Sequence, residues 1–76
     1  MHRLPLESTM LASAAYSPEQ TLLDLEFRDG TLYRFFDVPA ACFQRFMASD
    51  SKGAYFNRNI RNHFRHQLLT ETTEQN

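Results

Sequence analysis

From Thr21 to Phe27 the chain alternates, with Leu23, Leu25 and Phe27 on one side and Asp24 and Glu26 on the other. A period of two over this length is the mark of a strand with one face buried. Asp29-Gly30 reverses the chain, and Thr31 to Val38 returns as the other arm of a hairpin. Upstream, Met10 to Tyr16 reads as a first strand, and Ser17-Pro18-Glu19-Gln20 supplies turn chemistry between the two. Beyond Val38 the period changes. Pro39 suits the first position of a helix, and Phe43, Phe46 and Met47 recur at i, i+3 and i+4. Ser49-Asp50-Ser51 ends that helix and offers an N-cap for a second, in which Phe56, Ile60 and Phe64 step by four along one stripe. The fold class that follows is α+β, a three-stranded antiparallel sheet followed by two helices packed on one face.

Loop length decides which aromatics of the hairpin face the core. A two-residue loop at Asp29-Gly30 places Tyr33 and Phe35 beside Asp24 and Glu26. A three-residue loop, Arg28-Asp29-Gly30 with Gly30 left-handed, pairs Leu25 with Tyr33 and Leu23 with Phe35, and sets Arg34 between the two acids. The second register joins apolar to apolar and opposite charge to opposite charge, so it is the expected one. It puts Tyr33 and Phe35 in the core, which disfavours them as a stacking platform for bases.

With 76 residues the chain makes one domain, expected over residues 10–69, with an extended lead-in at 1–9 and a flexible polar tail at 70–76. A domain of this size hides only about 60% of the surface its unfolded chain exposes. Seven phenylalanines make up much of the burial. Cys42, the single cysteine, has no internal disulfide partner and reads as a small buried hydrophobe. A small secreted domain is usually stapled by disulfides, so the expected compartment is the cytoplasm. Pro5, Glu7 and Ser8 interrupt what would be a signal-peptide core, and no apolar run approaches the ~20 residues of a membrane span.

Charge is uneven along the chain. Residues 1–50 carry four arginines against seven acids, whereas residues 51–69 hold Lys52, Arg58, Arg61 and Arg65 with no acid at all. On a straight helix of 100° per residue the three arginines lie opposite Phe56, Ile60 and Phe64. A face of one sign is what an anionic partner needs, whereas a face that serves only solubility usually mixes signs.

These residues together resemble the KTSC domain. The resemblance rests on Tyr16, the alternating strand ending Phe27-x-x-Gly30, Tyr33-x-Phe35, Val38-Pro39, Ser51-x-Gly53 and Phe56-Asn57-x-x-Ile60-Arg61. It spans roughly Ser8 to Phe64. The family is named for its place at the C-terminus of some lysyl-tRNA synthetases, and also occurs as small stand-alone bacterial proteins. Phe35 stands where the family's Tyr-x-Tyr has its second tyrosine, and Ala15 where a glycine commonly precedes Tyr16. Attachment to a tRNA-handling enzyme is what suggests RNA binding for the family.

The expected function is a non-catalytic module that binds RNA, tRNA being one candidate, weakly or as an accessory site. Lys52, Arg58, Arg61 and Arg65 are the candidate phosphate contacts, Tyr55 the candidate stacking ring and Asn57 the candidate base contact or capping group. Ser51-Lys52-Gly53 is a weaker candidate for an anion-binding helix start. The alternative is a protein-interaction or self-associating module using Leu22, Leu32 and Phe36, which share the sheet face opposite Leu23 and Leu25. His63 and His66, three apart, lack a third ligand for a metal. No nucleophile has a base partner, so neither an enzyme, a cofactor, a metal, a membrane nor a small-molecule substrate is expected.

Overall fold

The computed structural model describes residues 1–70. Five strands form one antiparallel sheet in chain order: β1 (Arg3–Pro5), β2 (Leu11–Ser17), β3 (Leu22–Phe27), β4 (Leu32–Phe35) and β5 (His66–Leu68). Between β4 and β5 lie α1 (Ala40–Ala48), α2 (Lys52–Tyr55) and a single π turn, Phe56–Ile60, that continues α2. The α+β class and the two helices stand; the expected three strands become five. The added strands, β1 and β5, are three residues long and exposed throughout, so neither carries the apolar alternation that marks a strand in sequence.

The hairpin adopts the three-residue loop. Leu25 pairs with Tyr33, Leu23 with Phe35 and Asp24 with Arg34. The Phe27 amide donates to Thr31 O at 2.8 Å, the Gly30 amide returns to Phe27 O at 3.0 Å, and Gly30 has φ +94°. Strand β2 has a bulge at Ala12, since Leu11 pairs with Phe27 while Ser13 pairs with Glu26. Without that extra residue Ala12 rather than Leu11 would share a face with Ala14; the bulge puts the larger side chain in the core, where Leu11 is fully buried.

One face of the sheet carries Leu11, Ala14, Leu23, Leu25 and Phe35 against Cys42 and Phe46 of α1 and Phe56 and Ile60 of the π turn. Cys42 and Phe46, four apart, are the buried pair of α1, with Phe43 and Met47 half-buried beside them. Tyr16 links the layers: its ring stacks on Phe43 at 4.6 Å, and its hydroxyl donates to Val38 O at 2.6 Å. Pro39 stands at the N-cap of α1, one position before the expected first turn. Ser51 caps α2 as expected, accepting from the Ala54 amide at 3.2 Å.

The opposite sheet face is laced with polar contacts. Arg34 grips Asp24 through two hydrogen bonds of 2.9 and 3.0 Å. Arg3 donates to Ser13 Oγ at 3.1 Å, and that hydroxyl donates to Glu26 at 2.8 Å. Small residues between these long side chains, Ser13, Ala15 and Ser17, are buried by their shade.

Candidate functional site

The second helix departs from the sequence pattern, and the departure builds a site. The Arg61 amide bonds to Phe56 O at 2.8 Å, a five-residue closure, and Asn62 follows with φ +67°. Asparagine tolerates that left-handed conformation, a common way to end a helix. The helix therefore stops at Ile60. The chain turns through residues 61–65 and pairs as β5 against β4, with Tyr33 opposite Leu68 and Phe35 opposite His66.

This turn closes one end of an aromatic groove of about 400 Å³. Phe35 and Phe56, both buried, form its floor, 5.7 Å apart and edge to face. Phe27 and Tyr33, half-buried, meet edge to face at 5.8 Å. His66 comes from β5 to lie 5.7 Å from Tyr33 and 5.5 Å from Phe35. Arg61, Asn62 and His66 make an exposed lip, and among the described residues no carboxylate lines the space. Among the described residues Tyr33 Oη has no hydrogen-bond partner. Arg61 donates through Nη1 to Asn57 Oδ1 at a long 3.4 Å, which leaves most of the five guanidinium donors to a ligand.

The expected arginine stripe does not form. Arg58 is exposed on the π turn and Arg61 is at the groove lip, but Arg65 lies beyond the helix. Its carbonyl accepts from the Phe36 amide at 2.9 Å, and its guanidinium sits 4.5 Å above the Phe36 ring. Phe36 succeeds the inward Phe35, so Arg65 belongs to the sheet face away from the helices. Phe64, expected in the helix's buried stripe, is half-buried outside it.

Lys52 Nζ donates to Ser49 O at 2.7 Å, closing the C-terminal end of α1. Tyr55 is half-buried, its ring 6.0 Å from Phe46 and its hydroxyl directed at Cys42 O and Sγ. Burial and then the Cys42 contact push its phenol above the ordinary tyrosine value, as expected of a ring packed inward. Leu22, Leu32 and Phe36 are each half-buried, with the Arg34–Asp24 pair on the same face and Arg65 over Phe36. A second cleft, about 440 Å³, lies by the Ser51-Lys52-Gly53 helix start, but Glu7 and Asp50 line it beside Lys52 and offset the charge an anion would require. Among the described residues no three His, Cys, Asp or Glu side chains converge as a metal site. No helix among them is long and apolar enough to cross a membrane.

Phe27, Tyr33, Asn62 and His66 are the groove residues that spacing did not assign to a site. The signal for two of them was present: Asn62 directly after a basic helix end is a helix stop, and a stop there returns His66 to the sheet.

A five-stranded meander, covered on one side by two short helices and holding an aromatic groove with a cationic lip, defines the class: a small α+β module with a concave aromatic site. The KTSC domain profile matches residues 7–64, and the chain belongs to that family. The crystal structure of a KTSC domain protein from Yersinia pestis superposes with a TM-score of 0.88 at 30% identity, covering 91% of this chain and 97% of that one. An uncharacterized protein of Stutzerimonas stutzeri is 43% identical over 58 residues, 76% of this chain and 82% of its own length. A lysine–tRNA ligase of a Nostoc species is 31% identical over 64 residues, 84% of this chain but 11% of the ligase. The match is thus to a segment of that enzyme.

Proposed function

We propose that the protein is a non-catalytic RNA-binding module that contacts the phosphate backbone through Arg61 at the lip of the aromatic groove and Arg58 on the adjoining π turn. The observation that carries this reading is the exposed Arg61 at the lip of a concave aromatic surface, with Arg58 exposed on the adjoining π turn and neither in an ion pair among the described residues. Similarity to a lysine–tRNA ligase segment supports tRNA as the first RNA to try. Lys52 and Arg65, the other two cations of the basic segment, are engaged by Ser49 O and the Phe36 ring, so the reading rests on the remaining pair.

Two phosphate contacts to single-stranded RNA correspond to a log–log salt slope of about −1.4, an accessory strength. Covalent attachment to another RNA-binding body raises such a contact through effective concentration. The test is tRNA binding titrated against salt for the wild type and for Arg58→Glu with Arg61→Glu, the fold being followed by circular dichroism. The expected result is measurable binding at low salt that the double variant loses. Absence of binding at low salt, or equal binding by the variant, overturns the reading. Self-association through Leu22, Leu32 and Phe36 is the rival. A dimer in sedimentation that Phe36→Ser dissociates is the result that favours it.

A further inference from the structure

Resting on the RNA reading, we infer that the aromatic groove takes one unpaired nucleotide, so that the module selects single-stranded or looped RNA over duplex. Five observations converge. The volume, about 400 Å³, falls in the range of small-molecule sites, roughly 300–1,000 Å³, and is concave where a backbone-only contact would be flat. Its walls are aromatic, with Tyr33 and Phe27 only half-buried and His66 exposed, so ring surface is left over after the core is packed. Every base has a π-face that such rings can meet, in stacked or edge-on geometry.

The lip supplies the other two parts of a nucleotide site. Arg61 offers a cation and several unused donors to a phosphate, while the Asn62 amide and the His66 ring offer both donors and acceptors to a base edge. Among the described residues no carboxylate lines the groove to offset the lip's charge, which favours an anionic ligand over a neutral or cationic aromatic one. The Tyr33 hydroxyl, without an intramolecular partner among the described residues, adds one more group able to meet a ribose or base. A paired base is stacked on its neighbours and cannot present its face to the groove, so the geometry discriminates by strandedness before it discriminates by sequence.

The experiment uses the full chain with two probes, a short fluorescent single-stranded oligouridine and a fully paired RNA of the same length. Variants are His66→Ala, which removes an exposed ring, and Asn62→Gly, which keeps the positive φ and removes the amide. The single strand is expected to bind more tightly than the duplex, and His66→Ala to lose about tenfold, the size of one base stack, with the salt slope unchanged. The Arg58→Glu, Arg61→Glu double variant should instead lose binding to both probes. Equal affinity for the two probes, with both groove variants like wild type, overturns the groove assignment while leaving the RNA reading standing if the arginine dependence persists. No binding to either probe overturns both. As a check that does not depend on any variant folding, uridine monophosphate titrated into wild-type protein should move the amide resonances of Tyr33, Asn62 and His66. Shifts confined to other parts of the chain sink the groove as the nucleotide site.

Discussion

The hydroxyl of Tyr16 is one oxygen atom with a structural task out of proportion to its size. It satisfies the buried Val38 carbonyl at 2.6 Å, just where the chain leaves the sheet for α1. Burial, and to a lesser degree Cys42, raise its pKa above the ordinary phenol value, so it remains a donor across the neutral range. Tyr16→Phe should keep the stack on Phe43 and lose about 1–2 kcal/mol in urea unfolding, the cost of leaving a buried carbonyl without its donor. A loss below a few tenths would mean that water replaces the hydroxyl. Gly30 is a cleaner case still. A Cβ there meets nothing within 4 Å, so Gly30→Ala tests backbone conformation alone at φ +94°. The expected loss is about 1–2 kcal/mol, read from the same denaturation midpoint.

Elements show which parts of the fold were legible in the sequence. The central hairpin was legible to the register because Leu23, Leu25, Asp24 and Arg34 each have a partner of matching chemistry in only one alignment. Strand β5 was hidden because His66-Gln67-Leu68 is exposed at every position, and Phe64 continued the helical spacing past the true stop. Spacing by four says that a residue could join a helix, not that the helix reaches it. The candidate site suffered from the same error: its arginines were read on one helix face, whereas Asn62 sends Arg65 to the far side of the sheet. The hairpin turn also gives a pH prediction. The Thr31 hydroxyl, and then its amide, hold the Asp29 carboxyl below its ordinary value. A lowered folded-state pKa stabilises the native form fully above the unfolded value, and that contribution disappears as pH falls through the folded value. Asp29→Asn should therefore differ from wild type near neutrality and converge with it in acid, as read from unfolding midpoints across pH.

At the scale of the whole molecule, core and surface divide cleanly across the sheet, with the aromatic groove on the helix side and the Arg34–Asp24 and Arg3–Ser13–Glu26 contacts on the other. A chain this short has little stability to spare. Phe46, fully buried between α1 and the sheet, illustrates the margin. Phe46→Ala should cost about 3–5 kcal/mol, against a total near the low end of roughly 5–15 kcal/mol, and leave a largely unfolded population by circular dichroism. The two outermost strands have a further consequence. Each is three residues long, and β1 ends in Pro5, which has no amide to donate. A stray chain approaching either border finds too few rungs to climb. The seven-residue β2 is the strand that a foreign segment could extend, and β1 covers it. Removing residues 1–5 should raise light scattering above that of the full chain at equal concentration. The strands least visible in the sequence are thus the ones this experiment tests as a guard against aggregation.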